Sequence, residues 1–247
     1  MRTVQSGPVV SFMAVVAVLS ALTLSVGLGG AGWLAGLACA SLISLLLARA
    51  LANAQLAELG AANQVTLIRA VLACVVAALV AQSFVSPTPV RTLVTLSAVA
   101  LVLDAVDGFV ARRTGTTSAL GARLDMEVDA FLILVLSVYV AQSAGWWVLA
   151  MGLARYAFWT ARLMVPRLRG TAPARPWCKV VAAIQGIVLA VAAADVLPVG
   201  TDRTVLAVAL VMLAESFGRE AWELWRMGAD THVRPVALLD AMAARDG

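Results

Sequence analysis

Four aspartates lie inside two consecutive apolar segments of the chain, at Asp104, Asp107, Asp125 and Asp129. A carboxylate at membrane depth is costly unless it is paired or solvated, so such residues indicate function. Four carboxylates that share a pocket need compensating charge, which hard divalent cations with oxygen ligands supply. The residue types therefore predict a site for Mg²⁺ or Mn²⁺, and two ions about 4 Å apart would suit phosphoryl-type transfer.

The spacing of these aspartates places them on one face of each of two helices. At about 100° per residue, each set spans roughly 100° of arc or less. The two sets are Asp104, Asp107, Gly108 and Ala111, followed by Ser118, Gly121, Asp125 and Asp129. The short turn at 113–117 makes the helices antiparallel neighbours, so both faces converge near one membrane surface. The glycines and the alanine leave room there for a ligand.

A structural network is the alternative, in which aspartates pair with Arg112, Arg113 or Arg123. It would explain one or two aspartates better than four on two matched faces. Arg123 and Glu127 form an i,i+4 pair on the opposite face of their helix, and we expect a structural ion pair there.

The composition indicates which kind of protein positions these residues. Apolar residues make up 62% of the 247 and charged residues 13%, and the mean hydropathy is +0.94. These values exclude an ordinary soluble enzyme, a disordered chain and a disulfide scaffold. With Cys39, Cys74 and Cys178 isolated and His232 the lone histidine, no Cys/His metal site can be assembled.

Apolar runs long enough to cross a bilayer, about 20 residues each, recur along the whole chain. They predict an all-α integral membrane protein with about eight transmembrane helices. The predicted spans are 8–28, 31–50, 65–84, 91–112, 118–142, 145–165, 177–197 and 204–226. Residues 51–62 are expected to form an amphipathic interfacial stretch, and 228–247 a cytosolic tail.

The basic residues predict the orientation. Eight spans place both termini and the loops 51–64, 113–117 and 166–176 on one side. That side carries Arg2, Arg49, Arg112, Arg113, Arg167, Arg169, Arg175, Lys179, Arg226, Arg234 and Arg245, whereas the other has only Arg91 and Arg203. The positive-inside rule makes the basic side cytoplasmic, so we expect a multi-pass cell-membrane protein with its aspartates facing the cytoplasm. The positive net charge is thus a sidedness signal, and no nucleic acid is expected as a partner.

Residues 104–129 read DAVDGFVARRTGTTSALGARLDMEVD. This segment resembles the signature of the CDP-alcohol phosphatidyltransferase family, D-x2-D-G-x2-A-R-x8-G-x3-D-x3-D. All eight fixed positions are present without a gap: Asp104, Asp107, Gly108, Ala111, Arg112, Gly121, Asp125 and Asp129. The resemblance implies a six-helix catalytic core over residues 61–227, with residues 1–60 as a two-helix membrane extension.

The resemblance also implies a reaction, the transfer of a phosphatidyl group from CDP-diacylglycerol to a small alcohol with release of CMP. A phosphorylated polyol such as glycerol phosphate or inositol phosphate is one class of acceptor. Asp104, Asp107 and Asp125 would hold the metal, Mg²⁺ or Mn²⁺ and two ions. Asp129 would both touch a metal and act as general base on the acceptor hydroxyl.

By the same resemblance, Gly108, Arg112 and Ser118 would bind the CDP-lipid, with Arg112 as a planar donor fork for phosphate. The segment from Asn63 to Arg69 resembles the family's N-x-x-T-x-x-R start, which helps to bind the CDP moiety. Three local roles remain as alternatives: a helix N-cap for Asn63, a bond back to its own helix for Thr66, and snorkelling for Arg69.

The acceptor site is less defined. Arg155 lies deep in the sixth apolar segment and is the expected acceptor-binding residue, with Glu215 as an alternative partner. The basic residues of 166–176 either bind a phosphorylated acceptor or only reflect the positive-inside rule.

Two other functions stay open at this stage. One is a transporter or proton-coupled carrier that uses its intramembrane carboxylates, although carrier sites usually lie at the midplane and these aspartates lie near one end of their helices. The other is a silent family member that acts as a scaffold. The expected partners are the two substrates and the lipid bilayer, and a homodimer is open.

Overall fold

The structure is a computed structural model that describes residues 3–54, 61–114, 119–165, 176–198 and 200–243. These residues form helices and turns, with no strand among them. The eight α-helices are α1 (Thr3–Val26), α2 (Gly30–Ala54), α3 (Ala61–Ser83), α4 (Val90–Thr114), α5 (Ala119–Ala144), α6 (Leu149–Met164), α7 (Pro176–Ala193) and α8 (Thr201–Ala243). A 3₁₀ turn at Trp146–Val148 precedes α6.

Each predicted span coincides with one helix, so the all-helical prediction is confirmed for the described residues. Individual boundaries differ by a few residues, and two segments differ from the prediction in other ways. Of the stretch expected at 51–62, residues 51–54 belong to α2 and residues 61–62 to α3, and residues 55–60 lie outside the described part of the chain. Helix α8 runs for 43 residues, about 65 Å at 1.5 Å per residue. The loss of hydropathy after residue 226 marks the end of a predicted membrane span and does not mark the end of the helix.

Among the described residues, three helices are both long and apolar enough to cross a membrane: Gly7–Val26, Gly30–Arg49 and Gln64–Ser83. The region Trp177–Ala193 of α7 is apolar but shorter. Helices α4 and α5 carry the aspartates and nearby arginines, which lower their hydropathy. Helix α6 has 16 residues, about 24 Å, less than the hydrocarbon thickness of about 30 Å. Crossing by all eight helices therefore remains a prediction.

The surface of the bundle is rich in large apolar side chains, as expected for contact with lipid. Leu24 is 90% exposed, Leu34 75% and Val211 68%. A soluble protein rarely leaves so many large apolar residues in water. The exposed surface thus agrees with a membrane protein.

Helix α3 lies at the centre of the bundle and packs against α1, α2, α4 and α5. Its middle turns, from Ala73 to Val80, are buried on every side, as expected for a helix that is apolar all round. Helix α5 is the second hub and packs against α3, α6 and α7. At Gly152 a Cβ atom would lie 2.6 Å from the Cα atom of Leu134, so a glycine is required where α6 crosses α5.

The side chain of Gln82 connects α3 to the beginning of α2. Its Oε1 accepts hydrogen bonds from the backbone N–H groups of Gly29 and Gly32, at 3.2 and 3.3 Å, and its Nε2 donates to Ser86 at 2.6 Å. The first N–H groups of a helix have no partner within the helix. Gln82 of α3 therefore supplies a hydrogen-bond acceptor for N–H groups at the beginning of α2, which have none within their own helix.

Candidate active site

The side chain of Arg69 lies at the centre of the aspartate cluster. Its Nη1 is 2.9 Å from Oδ1 of Asp104 and also donates to Oδ1 of Asp125. Its Nη2 donates to Oδ1 of Asp129. The guanidinium thus joins α3 to both aspartate-bearing helices, α4 and α5.

The four side chains lie at a similar depth in the bundle. Arg69 lies near the N-terminal end of α3, and Asp104 lies near the C-terminal end of α4. Asp125 and Asp129 lie near the N-terminal end of α5. Each is about 9 to 15 Å from that end of its helix at 1.5 Å per residue. Because α4 and α5 are joined by the short segment 115–118, these ends lie on the same side of the bundle. The convergence that the spacing predicts is therefore confirmed for Asp104, Asp125 and Asp129.

The cluster is accessible on its carboxylate side and closed on its arginine side. The side chains of Asp104, Asp125 and Asp129 are 33%, 27% and 26% exposed, whereas that of Arg69 is fully buried. A ligand can therefore reach the carboxylates from outside the bundle while Arg69 lies beneath them.

The carboxylates fit a divalent metal in both chemistry and spacing. One oxygen from each of Asp104, Asp125 and Asp129 lies within 4.8 Å of the others. Ligands about 2.1 Å from one ion lie at most about 4.2 Å apart, so small rotations bring these oxygens around one ion or between two ions. Carboxylate oxygens are the ligands that Mg²⁺ and Mn²⁺ prefer.

Other predicted site residues are described in part. Gly108 lies one turn beyond Asp104 on α4 and is half-buried. Thr66 is buried on α3, one turn before Arg69. The backbones of Asn63, Asp107 and Arg112 are helical, but their side chains are outside the described part of the structure, and so is the whole of Ser118.

Helix α2 forms part of the wall next to the site. A small apolar cavity of about 20 Å³ separates it from α3 and α5. The cavity is lined by Ile43 and Leu47 of α2, Thr66, Leu67 and Ala70 of α3, and Leu124 and Val128 of α5. The predicted N-terminal extension thus packs against α3, which carries Arg69, and shares the lining of this cavity with α5, which carries Asp129.

Arg155 forms an ion pair with Glu127, a carboxylate not predicted from the sequence as its partner. Its Nη2 lies 2.7 Å from Oε1 of Glu127, whereas Glu215 pairs with Arg219 on its own helix. The alternative in which Arg155 pairs with Glu215 is therefore wrong. Glu127 lies about 200° around α5 from both Asp125 and Asp129, so this ion pair is on the face that points away from the cluster. The expected partner of Glu127, Arg123, has a side chain outside the described set.

The sequence prediction missed the role of Arg69. Snorkelling would leave its guanidinium exposed, but the side chain is fully buried and contacts three carboxylates. The sequence does contain a signal for this, because Arg69 is the single charged residue in the apolar segment Gln64–Ser83. A cation within an apolar, centrally packed helix of a bundle is expected to face interior anions.

Comparison with known proteins identifies the family to which the chain belongs. The model of the CDP-alcohol phosphatidyltransferase family matches residues 59–218, which include Arg69 and all four aspartates. Comparison with curated proteins gives no significant match, and neither does comparison with solved structures. The match covers well over half of the chain, and the chain belongs to the CDP-alcohol phosphatidyltransferase family.

Proposed function

We propose that this protein transfers the phosphatidyl group of CDP-diacylglycerol to a small alcohol acceptor and releases CMP. The observation that carries the proposal is the convergence of Asp104, Asp125 and Asp129, within the matched family region, into a set of oxygen ligands suited to divalent metal. A phosphorylated polyol, such as glycerol phosphate or inositol phosphate, is the acceptor class that we favour.

Asp104, Asp107, Asp125 and Asp129 would hold Mg²⁺ or Mn²⁺, as two ions. Bound there, the ions would neutralise the pyrophosphate of the CDP-lipid and the charge on the departing CMP. This arrangement is supported by the accessible carboxylate face of the cluster and its closed arginine side.

Asp129 is the proposed general base. Its carboxylate takes the proton of the acceptor hydroxyl as the hydroxyl oxygen forms a bond to the phosphatidyl phosphorus. The bond between that phosphorus and the oxygen of CMP breaks, and CMP leaves with the bonding electrons. The membership of Asp129 in the cluster, with a carboxylate oxygen within 4.8 Å of those of Asp104 and Asp125, supports this role because the base must lie beside the reacting phosphate.

The CDP-lipid would contact four further positions besides Gly108. The small surface of Gly108 lets the nucleotide approach the backbone of α4. Arg112 supplies a planar donor fork for phosphate, and Asn63, Thr66 and Ser118 supply polar groups for the CDP moiety. Arg155 is the proposed acceptor-binding residue, and its pair with Glu127 lies on the face of α5 that points away from the cluster.

The proposed location is the cell membrane, with the active site facing the cytoplasm. The excess of basic residues on the side where α3 and α5 begin supports this orientation. A soluble alcohol acceptor would reach the cluster from the cytosol, while the lipid substrate would enter from the bilayer.

The experiment is release of CMP by the purified protein from CDP-diacylglycerol, with Mg²⁺ and each acceptor in turn. We expect release that depends on both metal and acceptor, and release that is lower by about 100-fold or more in Asp129→Asn. Asp195→Asn is the matched control, because Asp195 is an exposed carboxylate outside the cluster and asparagine tolerates its positive φ of 51°. A transporter or a silent scaffold would release no CMP under any of these conditions.

A further inference from the structure

Arg69 occupies the carboxylate oxygens that a divalent cation would use. Its two Nη atoms contact Oδ1 of Asp104, Asp125 and Asp129. A guanidinium has donors and no lone pair, so it cannot itself ligate a metal. A divalent ion at the same oxygens would lie next to a fixed positive charge.

The charges at the cluster explain why a cation is held there. Three carboxylates at mutual distances below 5 Å would repel one another strongly if no cation lay between them. Arg69 removes one negative charge of three, so the group keeps an excess of negative charge. It therefore keeps the carboxylates together and still attracts a divalent ion.

The guanidinium is held by its two Nη groups. Its Nε is buried and has no hydrogen-bond partner among the described residues. A buried donor without a partner costs free energy and adds nothing to the attachment of its side chain. Arg69 is thus held by the carboxylates themselves, and a stronger cation can displace it from them.

We propose that Arg69 is the resident counter-ion of the aspartate cluster and competes with divalent cations for it. Before metal binds, Arg69 brings the three carboxylates together. When metal binds, the carboxylate oxygens transfer from the guanidinium to the ion. Arg69 is a positioning residue that lowers the affinity for metal and keeps the three carboxylates together. The inference rests on the proposed function in taking the cluster as a site for Mg²⁺ or Mn²⁺.

The test is a titration of the full-length protein in detergent with Mn²⁺, without CDP-lipid or acceptor. The electron paramagnetic resonance signal of free Mn²⁺ measures how much of the ion is bound. We expect Arg69→Gln to bind Mn²⁺ at least about tenfold more tightly than the unchanged protein, because the competing charge is gone. Arg69→Lys keeps the charge and should stay within about threefold of the unchanged protein. Arg219→Gln is the control, because it removes an exposed arginine that pairs with Glu215 on α8, and its Mn²⁺ affinity should be unchanged.

Thermal melting supplies the second measurement. Without metal, Arg69→Gln should melt at a lower temperature than the unchanged protein, and saturating Mn²⁺ should remove most of the difference. If the variant folds only when Mn²⁺ is present, that rescue also supports the proposal. Failure to fold with or without Mn²⁺ would overturn it and make Arg69 a general structural residue.

Equal or weaker Mn²⁺ binding by folded Arg69→Gln would likewise overturn the proposal. Because no step of this experiment involves turnover, its outcome is separate from that of the transferase assay. CMP release together with an unchanged Mn²⁺ affinity would leave the proposed function intact and remove only the role of Arg69.

Discussion

Arg69 and Asp129 form an ion pair across the interior of the bundle, although 60 positions separate them in the chain. Arg69 belongs to α3 and Asp129 to α5, the two helices with the most extensive packing in the core. The pair therefore connects the helix that begins the matched family region with the helix that ends the aspartate signature. Substitution of either residue should therefore affect the aspartate cluster more than substitution of a charged residue elsewhere in the chain.

The metal-ligand role of the aspartates gives the first prediction. Asp104→Asn and Asp125→Asn should each lower CMP release at least about 100-fold, because a neutral amide is a poor substitute for a charged ligand. Asp107→Asn should behave in the same way. EDTA should abolish release, and excess Mg²⁺ or Mn²⁺ should restore it. Full turnover in a metal-free preparation would contradict the prediction.

The general-base role of Asp129 gives the second prediction. Asp129→Asn should lower kcat by about 100-fold or more, while binding of CDP-diacylglycerol weakens much less because the remaining carboxylates still hold metal. Equilibrium binding of the CDP-lipid and steady-state kinetics would measure the two effects separately. An equal loss of binding and turnover would mean that Asp129 is a ligand without a role in proton transfer.

The aspartate cluster could be predicted from the sequence because its geometry is local. Asp104 and Asp107 share a face of one helix, Asp125 and Asp129 a face of the next, and a short segment joins the two helices. The contacts of Arg69 depend instead on how α3 packs between α4 and α5, and helical periodicity does not determine that packing. The same limit explains Arg155, since Glu127 and Glu215 are both reachable from α6 until the packing of α5 and α8 is known.

The orientation of the chain gives the third prediction. In a background without Cys39, Cys74 and Cys178, single-cysteine variants at 115 and 172 should react with a membrane-impermeant thiol reagent from the cytosolic side. Variants at 88 and 200 should react from outside. Labelling of intact cells and of inverted vesicles would measure this. The reverse pattern would place the aspartate cluster on the outer side of the membrane.

The contact between Gln82 and the beginning of α2 gives the fourth prediction. Gln82→Ala removes the acceptor for the N–H groups of Gly29 and Gly32 and should destabilise the protein by about 1–3 kcal/mol. Thermal melting in detergent would measure the loss. Gln142→Ala is a matched control, because the Nε2 of Gln142 donates an exposed hydrogen bond to Ser83 at 3.0 Å. Similar melting temperatures for the two variants would show that the contact with α2 adds no stability.

The fifth prediction concerns the acceptor and depends on Arg155. This side chain is 34% exposed and lies 2.7 Å from Glu127, so part of its donor fork remains available to a phosphorylated acceptor. Arg155→Lys loses the bidentate geometry and should raise the KM for the acceptor about tenfold, with little change in the KM for CDP-diacylglycerol.

The Glu127→Gln variant tests whether Arg155 binds the acceptor or only forms a structural ion pair with Glu127. This variant keeps Arg155 and removes its anionic partner, so the acceptor should bind as well as before or more tightly. A half-exposed ion pair contributes at most about 1 kcal/mol, and both variants should therefore melt close to the unchanged protein. Steady-state kinetics with each substrate varied in turn, together with melting of both variants, would measure these effects. An unchanged acceptor KM in Arg155→Lys, with equal losses of stability in both variants, would make the pair a structural link between α5 and α6 and place the acceptor site elsewhere.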